Sequence, residues 1–501
     1  MNQSNEKSES RDALRKEKRM ENLRRAAEEE KRMGRTVADC PFRTKFHIMP
    51  PVGWINDPNG LCQFRGVFHA YFQYSPLSVH GGGGYWGHCT SKDLLRWEYH
   101  EPVLTSDIPE DQSGVYSGSA LIEDGKMYLF YTGNVKLPGD YDYIDKGRIS
   151  TQLMVSSEDG QHMSEKKKLL GMEDYPADIT AHVRDPKVWK EGDVYYMILG
   201  ARARGREKNG TRRDRGGVLI YASKDMENWE LYREIVPEDA FGYMWECPDL
   251  FELDGERILS YCPQGLEHEK ERFQNIYQSG YSVLTQAEDP AASFTEWDMG
   301  FDFYAPQTFL SEDGRRILIG WAGLPDTENT HRNLSLANGW QHCLTLPREL
   351  TVKDGKIFQA PVRELKSLDW QSPDPNKMKG GGICGWSGRT VLLEVSGIAG
   401  GAQEIRFGKE GNALNIRAQD DLAEISFLGR DGRPSECGGG RGRRIGRLSG
   451  PIRELTVLAD SSVIEVFING SEMTFTTRIY LDKDERELSV SGPGTYSLSV
   501  I

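Results

Sequence analysis

Three carboxylic acids sit in local sequences that ordinary surface acids rarely share: Asp57 in WINDPNG, Asp185 in RDP and Glu246 in ECPDL. Gathered in one pocket, such groups repel one another, and the proton affinity of at least one rises. An acid that keeps its proton beside a carboxylate that has lost one is the pairing that cleaves a glycosidic bond. Oxocarbenium-like charge favours a nearby anion, and a departing alkoxide needs a proton. Taken singly, each motif also reads as a turn, because Asn, Asp, Pro and Gly all favour turns. Their phase within a repeat is what argues for chemistry.

Five segments read as strand, tight turn, strand, with turn glycines at Gly66, Gly125, Gly192, Gly255 and Gly314. Such turn dipeptides between alternating apolar runs are a strong hairpin signal. A second marker keeps nearly the same beat of about 60–70 residues: Asp93, Asp159, Asp225 and Asp289, with Trp97, Trp229 and Trp297 close behind three of them. A unit of that size holds four strands, which is the size of a propeller blade. Counting back from each hairpin glycine reaches Asp57, Ser117, Asp185, Glu246 and Tyr304. These are expected at equivalent positions, at the start of five first strands that line one central channel.

The expected fold is all-β: a five-bladed β-propeller followed by a C-terminal β-sandwich, with a short N-terminal helix. The boundaries are a charged helical extension at 1–35, the propeller at 36–360, a polar linker at 361–379 and the sandwich at 380–501. The helix is expected over residues 8–33, ending near Gly34, with Leu14, Met20, Leu23 and Ala27 as a thin apolar stripe. The run GGGRGRRIGR at 438–447 interrupts the strand pattern and reads as a surface hairpin loop.

Net charge is −14, so a general affinity for nucleic acid is not expected. No stretch has the roughly 18 apolar residues of a membrane span, and the charged N-terminus lacks a signal-peptide core. Eight scattered cysteines without a CxxC pair read as reduced thiols, which suits the cytoplasm. The ten histidines show no metal-ligand spacing, so no metal and no cofactor are expected.

The segments WINDPNG, FQY (72–74), WGH with SKDLLRW (86–97), YSGS (116–119), RDP and ECP resemble glycoside hydrolase family 32, and the likeness runs from about Pro41 to Ile501. The resemblance implies a retaining β-fructofuranosidase acting on sucrose or sucrose 6-phosphate. It implies Asp57 as nucleophile, Glu246 as general acid/base and Asp185 as transition-state stabiliser. It further implies that Trp54, Asn56, Gln73, Trp86, Tyr116, Ser117, Arg184, Tyr304 and Trp321 contact substrate. Core packing is the competing account of Trp86 and Trp321.

Two alternatives stand beside this reading: a fructan hydrolase that also takes short fructo-oligosaccharides, and a sugar-binding propeller without catalysis. The second would be marked by loss of one of the three acids, and none is missing. Oligomeric state stays open, since the helix and the sandwich can each form a contact between copies. The basic loop 202–215 is expected on the active-site face. Its clustered arginines suit a phosphorylated substrate, while a solvated loop is the plainer account.

Overall fold

All five turn glycines adopt left-handed φ, between 59° and 86°, and each closes a hairpin. Arg65, Asp124 and Asp254, which precede three of them, are also at positive φ. That pairing matches the right-handed twist of the flanking strands. The computed structural model describes residues 2–82, 84–208, 210–284, 289–372, 378–379, 382–383 and 390–501.

The hairpins grow into five antiparallel sheets laid down in succession, each a meander whose spatial order follows the chain. Their first strands are Gly53–Phe64, Val115–Glu123, Ile179–Glu191, Met244–Leu253 and Tyr304–Leu310. Each first strand touches that of the next sheet, and the fifth touches the first. The short strand Trp340–Gln341 also returns to pair with Gly53 and Trp54 of the first sheet.

The second sequence marker closes the third strands. Ser91, Ser157 and Ser223 bond Asp93, Asp159 and Asp225. One carboxylate oxygen of each Asp then accepts two amides from the turn that follows. Asp289 accepts the Ala291 amide at the start of the short helical turn Pro290–Ser293. The period is therefore a turn requirement, since Asp satisfies amides that leave a strand without ladder partners.

Two further sheets have five and seven strands, the larger one including the short strands Met378–Lys379 and Gly382–Ile383 and all others lying beyond residue 389. They share one cluster of buried side chains, including Leu393, Val457 and Val466 from one and Phe407, Ile416 and Ile425 from the other. Part of the expected linker, residues 373–377, lies outside the described residues. The part before it is packed: Val362, Leu365 and Leu368 are buried.

Charged groups join the C-terminal sheets to the rest. Buried Arg348 reaches Glu465 at 2.6 Å and Asp298 at 3.2 Å, and His47 bridges Asp460 and Glu465 at 2.8 and 2.9 Å. The Gly/Arg-rich run belongs to this junction, which corrects the surface-loop expectation. Arg441 is buried and grips Asp302 through two bonds, and Arg444 bonds Asn275. The chain compensates those guanidinium charges with acids and amides from the fourth and fifth sheets' surroundings, because an unpaired buried charge is costly.

The helix also departs from expectation. It spans Asn2–Ala38, passing through Gly34. Val37 is buried with Cys40, Val52 and Trp340, and that packing outweighs the glycine's low helix propensity. Leu14 and Met20 are exposed, at 62% and 67%. The docked face instead carries Asn22, Ala26, Glu30 and Val37, one stripe at helical spacing. Asn22 donates to Thr105 and Ser106, Tyr74 donates to Glu30, and Ala26 is fully buried.

Candidate active site

Every first strand carries a bulge at the same height, two residues facing one on the partner strand. The bulged pairs are Asn56–Asp57, Tyr116–Ser117, Asp185–Pro186, Cys247–Pro248 and Ala305–Pro306. A bulge bends the strand and re-aims its side chains, and proline suits a position whose N–H has no ladder partner. Asp185, Cys247 and Ala305 are held at φ of 64°, 48° and 46°, each just before its proline. Left-handed non-glycine residues cost about 1–3 kcal/mol each and gather at functional sites.

This register corrects the expectation of equivalent positions. Asp57 and Ser117 occupy the second bulge place and Asp185 the first, whereas Glu246 and Tyr304 directly precede the bulge. All five nevertheless face one cavity of about 490 Å³, a size that suits a small ligand. Trp54, Asn56, Gln73, Tyr116, Arg184 and Trp321 line it as well. Trp86 does not: it is fully buried, and its indole N–H donates to the Tyr116 carbonyl. It supports the wall from behind, so the contact expected of it is corrected to packing.

Asp57 accepts from Ser117 Oγ at 2.6 Å and from Asn56 Nδ2 at 3.0 Å. Trp54 Nε1 in turn fixes Asn56 Oδ1 at 2.8 Å. Burial pushes the Asp57 carboxyl up, the Ser117 and Asn56 bonds pull it back, and the Glu246 charge raises it again. Asp185 accepts the Cys247 amide at 3.0 Å and is pushed up to about 7, first by burial, against the opposing Arg184 charge.

Four donated bonds converge on Glu246. Arg184 gives two to Oε1, while Tyr304 and Gln264 each donate to Oε2 at 2.7 Å. Arg184 is steadied by His182, whose Nδ1 accepts from Nη1 at 2.8 Å while Nε2 donates to the Tyr143 carbonyl. Burial and then the Arg184, Arg148 and Arg202 charges push His182 down to about 2, so it stays neutral and accepts.

Gln264, Cys247 and His182 were not singled out from sequence. Cys247 places its thiol 3.8 Å from Asp57 and 3.7 Å from Asp185. The signal for it is the X-Pro pair shared by residues 185–186, 247–248 and 305–306. His80, Gly81 and Gly82 of the glycine-rich run form part of the rim, where Gly81 sits against the Trp54 indole at a φ of 82° that favours glycine.

The basic loop leaves the third sheet at the end where the first strand begins, as topology requires, yet none of its residues lines the cavity. Arg202 and Arg212 pair with Asp214, and Arg204 and Arg212 with Asp145. Three of its arginines are thus held by carboxylates.

Two carboxyls with unlike surroundings, opening on one cavity sized for a small sugar, define a carboxylate-based glycosidase. Comparison with known proteins makes the class specific. Residues 47–361 match the glycosyl hydrolases family 32 N-terminal domain, and residues 433–500 match the family 32 C terminal. The sucrose-6-phosphate hydrolase of Bacillus subtilis (strain 168) is 36% identical over 500 residues, covering 95% of this chain and 97% of that one. That of Escherichia coli is 36% identical over 459 residues, covering 90% and 91%. Among solved structures, sucrose-6-phosphate hydrolase from Lactobacillus gasseri superposes with a TM-score of 0.79 at 28% identity, covering 95% and 96%. A Bombyx mori GH32 beta-fructofuranosidase gives 0.78 at 30% identity, covering 96% and 97%. The chain belongs to glycosyl hydrolase family 32.

Proposed function

We propose that this chain is a retaining β-fructofuranosidase that hydrolyses sucrose and sucrose 6-phosphate. The relatives named above support the substrate, as does a mutant of the Bombyx mori enzyme solved in complex with sucrose. The five successive sheets are blades of a propeller, and the C-terminal pair is a β-sandwich. Their cyclic first-strand contacts and shared apolar core support that reading.

The observation that carries the mechanism is the contrast between two carboxyls on one cavity. Asp57 is desolvated and aimed by Ser117 and Asn56, which suits a nucleophile. It attacks the anomeric carbon of the fructosyl unit, and the bond to the glucosyl oxygen breaks as Glu246 protonates that oxygen. Glu246 then takes a proton from the water that releases fructose from Asp57. Arg184, Tyr304 and Gln264 hold its carboxyl in place through both steps. Asp185, in its ionised form, stabilises the positive charge that develops at the fructosyl carbon.

The seven described cysteines are buried and unpaired, which supports a reducing compartment, the cytoplasm. No helix among the described residues is long and apolar enough to cross a membrane. Time-resolved NMR of sucrose hydrolysis tests the proposal: β-fructofuranose must be the first fructose anomer released. Initial α-fructofuranose, or no cleavage of sucrose, overturns it.

A further inference from the structure

Lys136 and Arg148 stand directly opposite each other on neighbouring antiparallel strands of the second sheet. Cross-strand partners project from the same face, and like charges so placed destabilise the pair. Neither has a carboxylate partner among the described residues. Arg148 is half-buried, and its bonds go to neutral acceptors: Asn134 Oδ1 at 2.7 Å and the Tyr143 carbonyl at 3.2 Å. Burial pushes its guanidinium down from its ordinary value, as expected of a cation lacking a counter-ion. Two cations set side by side in the sheet without a paired carboxylate leave room for an anion.

The position of the pair says which anion. Lys136 forms part of the cavity wall beside Ser113 and Tyr116. Arg148 bonds the Tyr116 side chain and lies within electrostatic reach of Arg184 and Glu246. Glu246 protonates the glucosyl oxygen in the mechanism above, so the glucosyl unit occupies this side of the cavity. The arginines of loop 202–215 are the competing candidates, but Arg202, Arg204 and Arg212 already hold Asp145 and Asp214, and Arg206, Arg213 and Arg215 stand off the cavity wall that Lys136 lines.

We propose that Lys136 and Arg148 are the subsite for the 6-phosphate of the glucosyl unit, and that they set the preference for sucrose 6-phosphate over sucrose. The Lys136 ammonium lies on the cavity wall and the Arg148 guanidinium just behind Tyr116, so the pair offers a phosphate two charge-assisted contacts on that side. This rests on reading the cavity as a β-fructofuranosidase site.

The test is the ratio of kcat/KM for sucrose 6-phosphate to that for sucrose, which cancels any loss common to both substrates. Wild type favours the phosphorylated sugar. Lys136→Met and Arg148→Met each lower the ratio by about 10- to 100-fold, as expected for removing one charge-assisted contact. The double variant Arg212→Ala/Arg213→Ala leaves it within about threefold, the scale of an exposed charge. A ratio that survives both single changes, or a wild type indifferent to phosphate, overturns the subsite. Should Arg148→Met fail to fold, Lys136→Met decides, together with thermal protection of wild type by glucose 6-phosphate but not by glucose. A wild type that cleaves neither sugar overturns the functional reading, and the subsite with it.

Discussion

Arg184 donates to Oε1 of Glu246 through Nη2 at 2.7 Å and through Nε at 3.2 Å, tying the third first strand to the fourth. Its neighbour in sequence, Asp185, faces the same cavity. One dipeptide therefore supplies an acid of the site and the clamp on another acid. The bulge makes this workable, because consecutive residues on a regular strand would point to opposite faces.

Arg184→Lys keeps the charge but removes the fork. We expect kcat to fall about 30- to 150-fold, the equivalent of losing a charge-assisted bond of about 2–3 kcal/mol. Steady-state kinetics on a variant with unchanged circular dichroism checks this. A loss below threefold would mean that Glu246 does not depend on the clamp.

Asp185→Asn separates stability from activity. Asp185 is pushed up to about 7, above the ordinary carboxylate value of 3.8. Between those values the folded state holds a proton that the unfolded chain has released, so this group's contribution to stability declines as pH rises from about 4 to about 7. Asparagine removes that decline. The Tm of the variant relative to wild type should therefore climb across this window, by several degrees, while turnover drops by orders of magnitude. A Tm difference that stays flat with pH contradicts the burial argument.

His47 shows the opposite sign at the junction. Burial opposes its charge, but bonds to Asp460 and Glu465 overcome that and raise it to about 9. Its stabilisation is fully present below pH 6.5 and is lost as pH rises through about 9. His47→Gln should cost about 3–5 kcal/mol at neutral pH, since it strips the cation from two buried acids. Urea unfolding at pH 6.5 and 9.5 reads this directly, and the gap between variant and wild type should narrow at the higher pH. A gap that widens rules out a charged His47.

What the sequence made legible was local. The hairpin turns at Gly66, Gly125, Gly192, Gly255 and Gly314 and the Asp93-type turns obey short-range backbone rules, so they could be read directly. The convergence of Asp57, Asp185 and Glu246 followed from their phase. Their register did not, because the bulges insert residues that counting cannot see. The helix was misread because its docked face joins through Asn22 and Glu30 as well as Ala26, and a search for apolar residues passes over such a face. Arg441 was taken for surface because its partner, Asp302, lies far away in the chain. Trp86 carries a motif-like setting but serves a carbonyl from the core.

The nucleophile is tested most directly by trapping the intermediate. Glu246→Gln lacks the base that activates water, so a β-fructofuranosyl fluoride, whose leaving group needs little acid help, should load the enzyme and leave it loaded. Mass spectrometry of the proteolysed variant should then find one fructosyl unit on the peptide that contains Asp57, and none once Asp57 is also changed to Asn. An adduct on any other residue, or the same adduct without Asp57, would contradict the assignment.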